Sequence, residues 1–221
     1  MSYKIDLHSH SIISYDGGIT EKEYARLIEN KVIDYIAITD HNETKFAKEL
    51  AKKLGDKIII GEEILSQNGE IIGLFLEETI PQGLTAKQTV KKIREQGGLV
   101  YIPHPFEIFR HGLRRDVLEK LQSEVDVIEV FNARSKWRGK SSLALEFAHE
   151  YNIPSAASSD AHGEKGLGTS FSIISGIPSV KTLPGLLRKG ELYKQFAPII
   201  TYFYPSVNKI KHKFAKYRIA D

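Results

Sequence analysis

The sequence contains no cysteine among its 221 residues. Disulfides, thiolate metal sites and cysteine nucleophiles are therefore excluded, and any bound metal must use imidazole and carboxylate ligands. The chain also lacks a run of the roughly 20 apolar residues that a membrane helix needs. Its opening segment, MSYKIDLHSHS, has no signal-peptide core. These absences predict a soluble, cytoplasmic protein without a membrane span.

Charge is unevenly distributed along the chain. Residues 188–221 contain eight basic and two acidic residues, which gives this segment a net charge of +6. Since the whole chain carries +3, residues 1–187 carry −3. A mildly acidic body suits a site that collects cations, whereas a basic tail suits an anionic partner.

Short apolar segments alternate with helical stretches, which is typical of α/β proteins. We predict seven strands, over residues 4–10, 33–39, 57–62, 71–76, 99–103, 127–131 and 155–158. We predict six helices, over residues 20–30, 44–54, 85–96, 114–122, 141–151 and 180–188. The Asn68-Gly69 pair predicts a hairpin within residues 61–76. The alternation indicates an α/β barrel or an open doubly wound sheet, and seven strands favour a closed or distorted barrel.

Imidazoles and carboxylates collect at the ends of the predicted strands, where parallel α/β folds form their active sites. Nitrogen and oxygen donors together suit Zn²⁺, Mn²⁺ and Fe²⁺. The imidazoles and carboxylates at or near these strand ends are those of His8, His10, Asp16, Asp40, His41, Glu62, Glu63, His104, Glu129, Asp160 and His162.

Each piece of this pattern also has a purely structural interpretation. An isolated pair of histidines two residues apart is a weak signal, and Asp16 in a glycine-containing loop is also typical of a turn. Asp40 suits a helix cap or a partner that orients His41. Of Glu62 and Glu63, we expect one ligand and one solvated carboxylate. Taken together, buried carboxylates need cations to offset their desolvation, which favours a metal site.

Six segments resemble, in order, the signature segments of the PHP (polymerase and histidinol phosphatase) family. They are DLHSHSIISYDGG, ITDHNE, IGEEI, YIPHPF, IEVFNAR and SSDAHG, and the resemblance covers about residues 1–168. It implies a distorted seven-stranded, TIM-barrel-like (β/α)7 barrel with a trinuclear metal site at the C-terminal rim of the strands. The chain looks like the short, stand-alone phosphoesterases of the family. We therefore expect a hydrolase barrel over residues 1–190 and a basic, aromatic extension over residues 191–221, packed on the barrel or projecting from it.

The resemblance also implies which side chains bind two or three divalent metal ions, which we expect to be Zn, Mn or Fe. His8 and His10 resemble the ligands of one ion, and Asp160 resembles the residue that completes that site. Glu63, the second acid of GEE, is similar to the carboxylate that bridges two ions in the family.

The remaining ligands follow from the same resemblance. Asp16, His41 and His162 look like the set that holds another ion. His104 looks like a ligand of the second metal, and Glu129 occupies a position where the family often places a further ligand.

One position departs from the family pattern. Many relatives have a histidine in the hairpin that follows the bridging glutamate, whereas the stretch GEIIGLFL places Glu70 there. Glu70 either binds metal through oxygen, leaves the site one ligand short, or is a polar residue of the hairpin. Which metal binds, and whether the neighbouring ion is present, depend on which of these three roles Glu70 has.

The combined pattern predicts a metal-dependent phosphoric ester hydrolase, in which a metal-bound hydroxide attacks the phosphate ester of a nucleotide or short oligonucleotide. Arg110, Arg134 and His162 are the candidate catalytic residues. The two arginines are chosen because guanidinium groups suit phosphate oxygens. His111 and Arg138 are weaker candidates, and each arginine also fits a solvated surface charge. The alternatives are a small-molecule phosphomonoesterase such as a histidinol-phosphate phosphatase, and a non-catalytic PHP-like binding module.

The segment from residue 193 to residue 221 mixes aromatic side chains with lysine and arginine. This composition suits contact with a nucleic-acid backbone, with rings that stack on bases. It also suits an anionic membrane surface or a helix that packs on the barrel with a basic outer face. The sequence leaves the substrate and the oligomeric state open.

Overall fold

The computed structural model describes residues 1–137 and 139–217, so Arg138 lies outside the described residues. The described strands are β1 Tyr3–Asp6, β2 Tyr35–Ile38, β3 Ile58–Ser66, β4 Gly69–Leu74, β5 Leu99–Ile102, β6 Val127–Asn132, β7 Ser155–Ser158, β8 Phe171–Ile174 and β9 Glu191–Tyr193. The α-helices are α1 Glu21–Glu29, α2 Lys45–Leu54, α3 Ala86–Glu95, α4 Arg115–Leu121, α5 Ser141–Glu150, α6 Leu183–Arg188 and α7 Tyr204–Tyr217.

All the described strands belong to one sheet, in the order β7-β6-β5-β4-β3-β2-β1-β8-β9. Strands β1 to β3 are parallel, as are β5 to β7, while β4 runs antiparallel to both of its neighbours. The segments that follow β1 and β7 meet through a bridge between Ser9 and Ala161. The amide of His10 donates to the carbonyl of Ala161 at 2.9 Å, and that of Asp160 donates to the carbonyl of His8 at 2.9 Å. The sheet is therefore a nearly closed barrel, which confirms the predicted α/β barrel.

The predicted number of strands is wrong, because β8 and β9 were missed. β8 pairs antiparallel with β1, with Lys4 opposite Ile173, and β9 pairs antiparallel with β8. β9 has only 3 residues, and two of them are exposed, so it has neither the length nor the apolar run that marks a strand in sequence. β1 also ends at Asp6 rather than at residue 10, because the chain beyond it pairs with the segment around Ala161.

Local sequence explains several element boundaries. Thr20 caps α1 through a capping box with Glu23, as the spacing of the two residues indicates, and Thr85 caps α3 in the same way with Gln88. The predicted hairpin is present as β3 and β4, with Ser66 opposite Gly69. These signals fix the first turns of α1 and α3 and the turn between β3 and β4.

Apolar side chains on the strands and helices hold the sheet in place. One buried cluster joins α3 and α5 to the sheet through Val90, Ile93 and Phe147, which are all 0% exposed. Each such side chain stabilises the folded state by about 1.5–3 kcal/mol when it is buried rather than exposed. Within the described part of the chain, every helix is too short or too polar to pass through a lipid bilayer.

Candidate metal centre

Histidines and carboxylates converge above the barrel in one buried group, which we call the rim cluster. Every side chain in it is at most 8% exposed. The rim cluster consists of His8, His10, Asp16, His41, Glu63, Glu70, His104, Asp160 and His162. The structure thus brings together nine of the residues that the sequence predicts as ligands.

The segment after β1 supplies the centre of the rim cluster. The Nε2 atoms of His8 and His10 are 3.1 Å apart. Oε2 of Glu63, on β3, lies 3.4 Å from the first of these nitrogens and 3.3 Å from the second. Two imidazole nitrogens and a carboxylate oxygen face one small volume, so these three side chains can hold one ion.

A second group of donors lies beside the first. Oδ2 of Asp16, in the loop after β1, is 3.6 Å from Nε2 of His41 and 3.5 Å from Nε2 of His162. The ring of His10 packs against both of these histidines, with centroid distances of 4.7 Å and 4.2 Å. These four residues form a second set of donors close enough to share an ion.

Glu70 reaches the rim cluster because β4 is antiparallel. The beginning of β4, rather than its end, lies at the rim, and Glu70 is its second residue. Its carboxylate lies 3.6 Å from Nδ1 of His41 and 3.7 Å from Nε2 of His104. Nε2 of His104 is also 3.0 Å from Oε1 of Glu63. Glu70 is therefore a buried member of the cluster and not a solvated residue of the hairpin turn.

Asp160 completes the cluster from the loop after β7. Its Oδ1 lies 3.6 Å from Nε2 of His8 and 3.4 Å from Nε2 of His10. The same carboxylate accepts a hydrogen bond from Nδ2 of Asn132 at 3.1 Å. Asp160 and His104 both have positive φ, 49° and 28°, so the backbone turns sharply at these two positions as it leaves the strands.

The electrostatics of the rim cluster favour the binding of divalent metal ions, because protonation alone does not balance the charges of its side chains. Burial opposes protonation of His8, yet the charges of Glu63 and Glu129 raise its pKa to about 10. Burial and the neighbouring His162 hold the pKa of His10 well below its ordinary value. Burial and the charge of Glu63 raise the pKa of Glu70 to about 8. Side chains this close cannot all reach their preferred protonation state, whereas divalent ions satisfy imidazole and carboxylate together.

Unpartnered atoms support the same conclusion. Nδ1 of His10 and Nδ1 of His104 are buried and have no hydrogen-bond partner among the described residues. Buried polar atoms of this kind call for an unseen partner such as an ion or water. The donor set contains no sulfur, which fits Zn²⁺, Mn²⁺ or Fe²⁺.

Glu129 lies behind the cluster and outside the groups of converging donors. Its Oε1 is 3.2 Å from Nδ1 of His8, the ring atom that faces away from His10. Glu129 also accepts hydrogen bonds from the His104 amide at 2.7 Å and the Tyr101 hydroxyl at 2.9 Å. Despite burial, the positive charge of His8 lowers the pKa of Glu129 to about 2. This geometry suits an orienting partner for His8, and a direct role as ligand stays a prediction.

Two further acids lie near the cluster, and the structure contradicts the expected helix cap at Asp40 and the expected solvation of Glu62. Asp40 accepts from the amide of Ser11 at 2.6 Å and from its hydroxyl at 2.5 Å, so it holds the loop after β1. Helix α2 has Thr44 as its N-cap, so Asp40 does not cap it. Glu62 is 0% exposed rather than solvated, because the loop around Ile80 covers it and donates a 2.8 Å hydrogen bond from that residue's amide. Burial raises the pKa of Glu62 to about 8.

The two candidate arginines lie at the edge of the cluster and are mostly buried rather than solvated surface charges. Nη1 of Arg134 is 3.2 Å from Oδ1 of Asp160, and Arg110 contacts the other oxygen of the same carboxylate. Their side chains are 15% and 23% exposed. Burial and the neighbouring Arg110 lower the pKa of Arg134 to about 9. His111 is exposed, and it lines the cavity above the cluster.

That cavity, of about 200 Å³, is also lined by residues that the sequence analysis missed: Tyr15, Pro205 and Lys209. The last two lie on α7, which packs against the loops of the cluster. Nδ2 of Asn208 donates to the carbonyl of Asp16 at 3.0 Å and to that of His162 at 2.9 Å.

Glycine makes room for this contact. A Cβ at Gly18 would lie 2.7 Å from Nδ2 of Asn208, so the glycine at this position permits α7 to approach closely. Paired glycines beside a candidate ligand were the only sequence signal for this contact.

The geometry agrees with comparisons to known proteins. The PHP domain family matches residues 6–124, and the PHP-associated family matches residues 140–192. An uncharacterised protein of Methanocaldococcus jannaschii is 38% identical over 143 residues, which are 59% of this chain and 82% of the relative.

Solved structures share the fold. A two-domain protein of Bacteroides vulgatus that contains a predicted PHP-like metal-dependent phosphoesterase superposes with a TM-score of 0.71 at 20% identity. A lesion-specific endonuclease of Pyrococcus furiosus superposes with a TM-score of 0.63 at 18% identity. Each comparison covers 88% of this chain, but the chain spans only 65% of the first protein and 58% of the second. The ordered motifs, the barrel and both family matches agree, and the chain belongs to the PHP family.

Proposed function

We propose that the protein is a metal-dependent phosphoesterase that hydrolyses the phosphate ester of a nucleotide or short oligonucleotide. The observation that carries this proposal is the rim cluster, with its nine buried donors and two guanidinium groups at its edge. Few structural roles justify burying so many titratable groups together, whereas phosphoryl hydrolysis uses cations and arginines side by side.

The described side chains offer several overlapping donor sets for two or three divalent ions. His8, His10 and Glu63 form one set, and Glu63 joins a second set with His41 and Glu70. Glu63 thus lies where a carboxylate would be shared. Such ions, when bound, lower the pKa of water towards neutrality and neutralise phosphoryl oxygens.

The chain's own cations bind and orient the substrate in this proposal. Arg110 and Arg134 both contact Asp160, and both face the cavity above the cluster. Guanidinium forks match phosphate oxygens, so these two residues hold the phosphoryl group over the cluster. His162 lies 3.0 Å from Nη1 of Arg134 through its Nδ1 and close to Asp16 through its Nε2, so it links a phosphate-binding group to the donors.

The test is a substrate panel with purified, metal-loaded protein. A mononucleotide, a short oligonucleotide, histidinol phosphate and bis(p-nitrophenyl) phosphate are compared, and bound metal is measured by elemental analysis. We expect metal to be bound and the nucleotide or oligonucleotide to have the highest kcat/KM. Preference for histidinol phosphate would favour a small-molecule phosphomonoesterase, and metal without any hydrolysis would favour a binding module, for which the substituted position Glu70 is the main argument.

Arg110→Ala tests the arginine role directly. Loss of one preorganised hydrogen-bond donor to a developing anion lowers kcat by about 100- to 1000-fold. We therefore expect KM to rise or kcat to fall while metal content stays unchanged. Arg114→Ala is the matched control, since that side chain is 69% exposed and pairs with Asp116. Normal kinetics for the Arg110 variant would remove it from the site.

The basic C-terminal segment supports a second element of the proposal, contact with nucleic acid. Lys211 and Lys213 are exposed on α7, the helix whose Lys209 lines the cavity above the cluster. Replacing both by glutamate should weaken oligonucleotide binding and flatten its dependence on salt. Unchanged, salt-insensitive binding would refute this contact. The division at residue 190 and the cytoplasmic location stay predictions.

A further inference from the structure

A second, larger cavity adjoins the one above the rim cluster. It has a volume of about 880 Å³, and four of the side chains that line it are Phe106, Phe109, Trp137 and Tyr202. We call it the aromatic groove. Arg110 and Arg134 line both cavities, so the two adjoin at the guanidinium groups that contact Asp160. A ligand held by these arginines over the cluster would extend directly into the groove.

Flat apolar faces form the walls of the groove. The rings of Trp137 and Tyr202 are 4.8 Å apart between centroids, and the Tyr202 hydroxyl donates to the carbonyl of Ala133 at 3.3 Å. Trp137 nevertheless remains 62% exposed, and Phe109 on the facing loop is 84% exposed. Side chains this large and apolar are usually buried, so their exposure beside a reactive site indicates a binding surface.

The charge of the groove is positive where it meets the cluster. Lys140 lines the groove along with the two arginines. The acid in the lining, Glu107, is buried, accepts from the Ser135 hydroxyl at 2.7 Å and lies 3.5 Å from Arg110. Nε of Arg134 is buried without a hydrogen-bond partner among the described residues. The groove therefore has two guanidinium groups where it meets the cluster and aromatic faces beyond them, and Nζ of Lys136 lies 5.6 Å from the centroid of the Trp137 ring.

We propose that the aromatic groove binds the base of a nucleotide whose phosphate lies over the rim cluster, with the base stacked on Trp137. The proposal rests on the proposed function for the position of the phosphate. A ligand that fits both ends must join an anion to a flat ring, and a nucleotide does so. A small aliphatic phosphate ester would leave the groove empty, since cavities of about 300–1,000 Å³ suit ligands larger than that.

The single tryptophan of the chain makes the proposal directly measurable, because all indole emission comes from Trp137. Metal-loaded, full-length protein is titrated with the slowly hydrolysed guanosine 5′-phosphorothioate, with ribose 5-phosphate and with inorganic phosphate. Stacking on an aromatic side chain strengthens binding by about 10-fold or more per base. We expect the nucleotide analogue to change Trp137 emission and to bind at least that much more tightly than ribose 5-phosphate.

Kinetics provide the second readout. In Trp137→Ala, the ratio of kcat/KM for the mononucleotide to that for ribose 5-phosphate should fall about 10-fold, and Trp137→Phe should restore most of it. Ile177→Ala is the control, since it removes a 59% exposed apolar side chain that lines neither the groove nor the cavity above the cluster.

Equal affinities for the nucleotide analogue and ribose 5-phosphate would overturn the proposal, as would unchanged indole emission on saturation. Emission that changes with protein concentration, and not with nucleotide, would identify the groove as a contact between copies of the chain and would also overturn it. If no phosphate ester is hydrolysed, the proposed function fails, yet the binding titration still decides whether a base occupies the groove.

Discussion

The rim cluster and helix α7 border the same cavity, but they are held in place by different contacts. The cluster sits on strand ends and their loops, is buried, and falls within the stretches that match the two PHP families. Helix α7 lies beyond both matches and reaches the cluster through a few polar contacts, with Ile210 and Phe214 exposed. The barrel therefore fixes the donors, while a separately attached helix shapes the outer wall of the cavity.

The largest expected effect comes from the centre of the cluster. Glu63→Gln should remove bound metal and lower kcat/KM by about 1000-fold or more, because metal stabilisation of the transition state amounts to several kcal/mol. The neighbouring Glu62→Gln is the control, since the amide oxygen can still accept the hydrogen bond from Ile80. Elemental analysis and kinetics on both variants check this. Equal metal loss in the two would show that replacing any buried carboxylate here releases metal, and it would contradict a specific role of Glu63 as a ligand.

Metal removal should affect stability as well as activity. Without cations the carboxylates of the cluster repel one another, and a ligand present at 1,000 times its Kd contributes about 4 kcal/mol. We expect chelation to lower the Tm by about 10 °C, measured by calorimetry. The Glu63→Gln protein should show a much smaller shift, and an identical shift would place the stabilising ion elsewhere.

A variant of Glu129 distinguishes a metal ligand from a residue that orients a ligand. If it orients His8 through Nδ1, Glu129→Gln should weaken metal affinity by about 10- to 100-fold, as the loss of an outer-shell partner does. A competition titration with a chromophoric chelator measures the change. Complete loss of an ion would instead identify Glu129 as a ligand.

The smallest effect is expected at α7. Asn208→Ala removes two hydrogen bonds to the loops of Asp16 and His162, at a cost of about 1–3 kcal/mol in unfolding free energy. Denaturant unfolding measures it, and the exposed Ser206→Ala should be neutral. If the Asn208 variant lost metal as fully as Glu63→Gln, α7 would be part of the scaffold that holds the donors, and the barrel alone would not fix their positions.

Sequence was informative where the chemistry is local or repetitive. Apolar runs marked β1 to β7, and the donors at their ends could be placed at one rim because parallel strands point the same way. The Asn68-Gly69 turn marked the hairpin that carries Glu70 to that rim.

Sequence was uninformative where contacts join distant loops. No periodicity indicates that Asn208 meets the carbonyl of Asp16, 192 residues away, or that Trp137 packs on Tyr202. The placement of Glu129 behind His8 depends on which side of the imidazole it faces, which spacing alone does not specify. β9 was missed because sheet pairing, rather than its own residues, makes it a strand.

The bridge between Ser9 and Ala161 has a consequence for biosynthesis. It joins His8 to a loop that is translated some 150 residues later, since the amide of Asp160 donates to the carbonyl of His8 across a separation of 152 positions. At about 5–20 residues per second, that delay is on the order of ten seconds. During that delay the nascent chain carries His8 and His10 without Asp160 and His162, so the complete set of donors comes together only after the seventh strand has been translated.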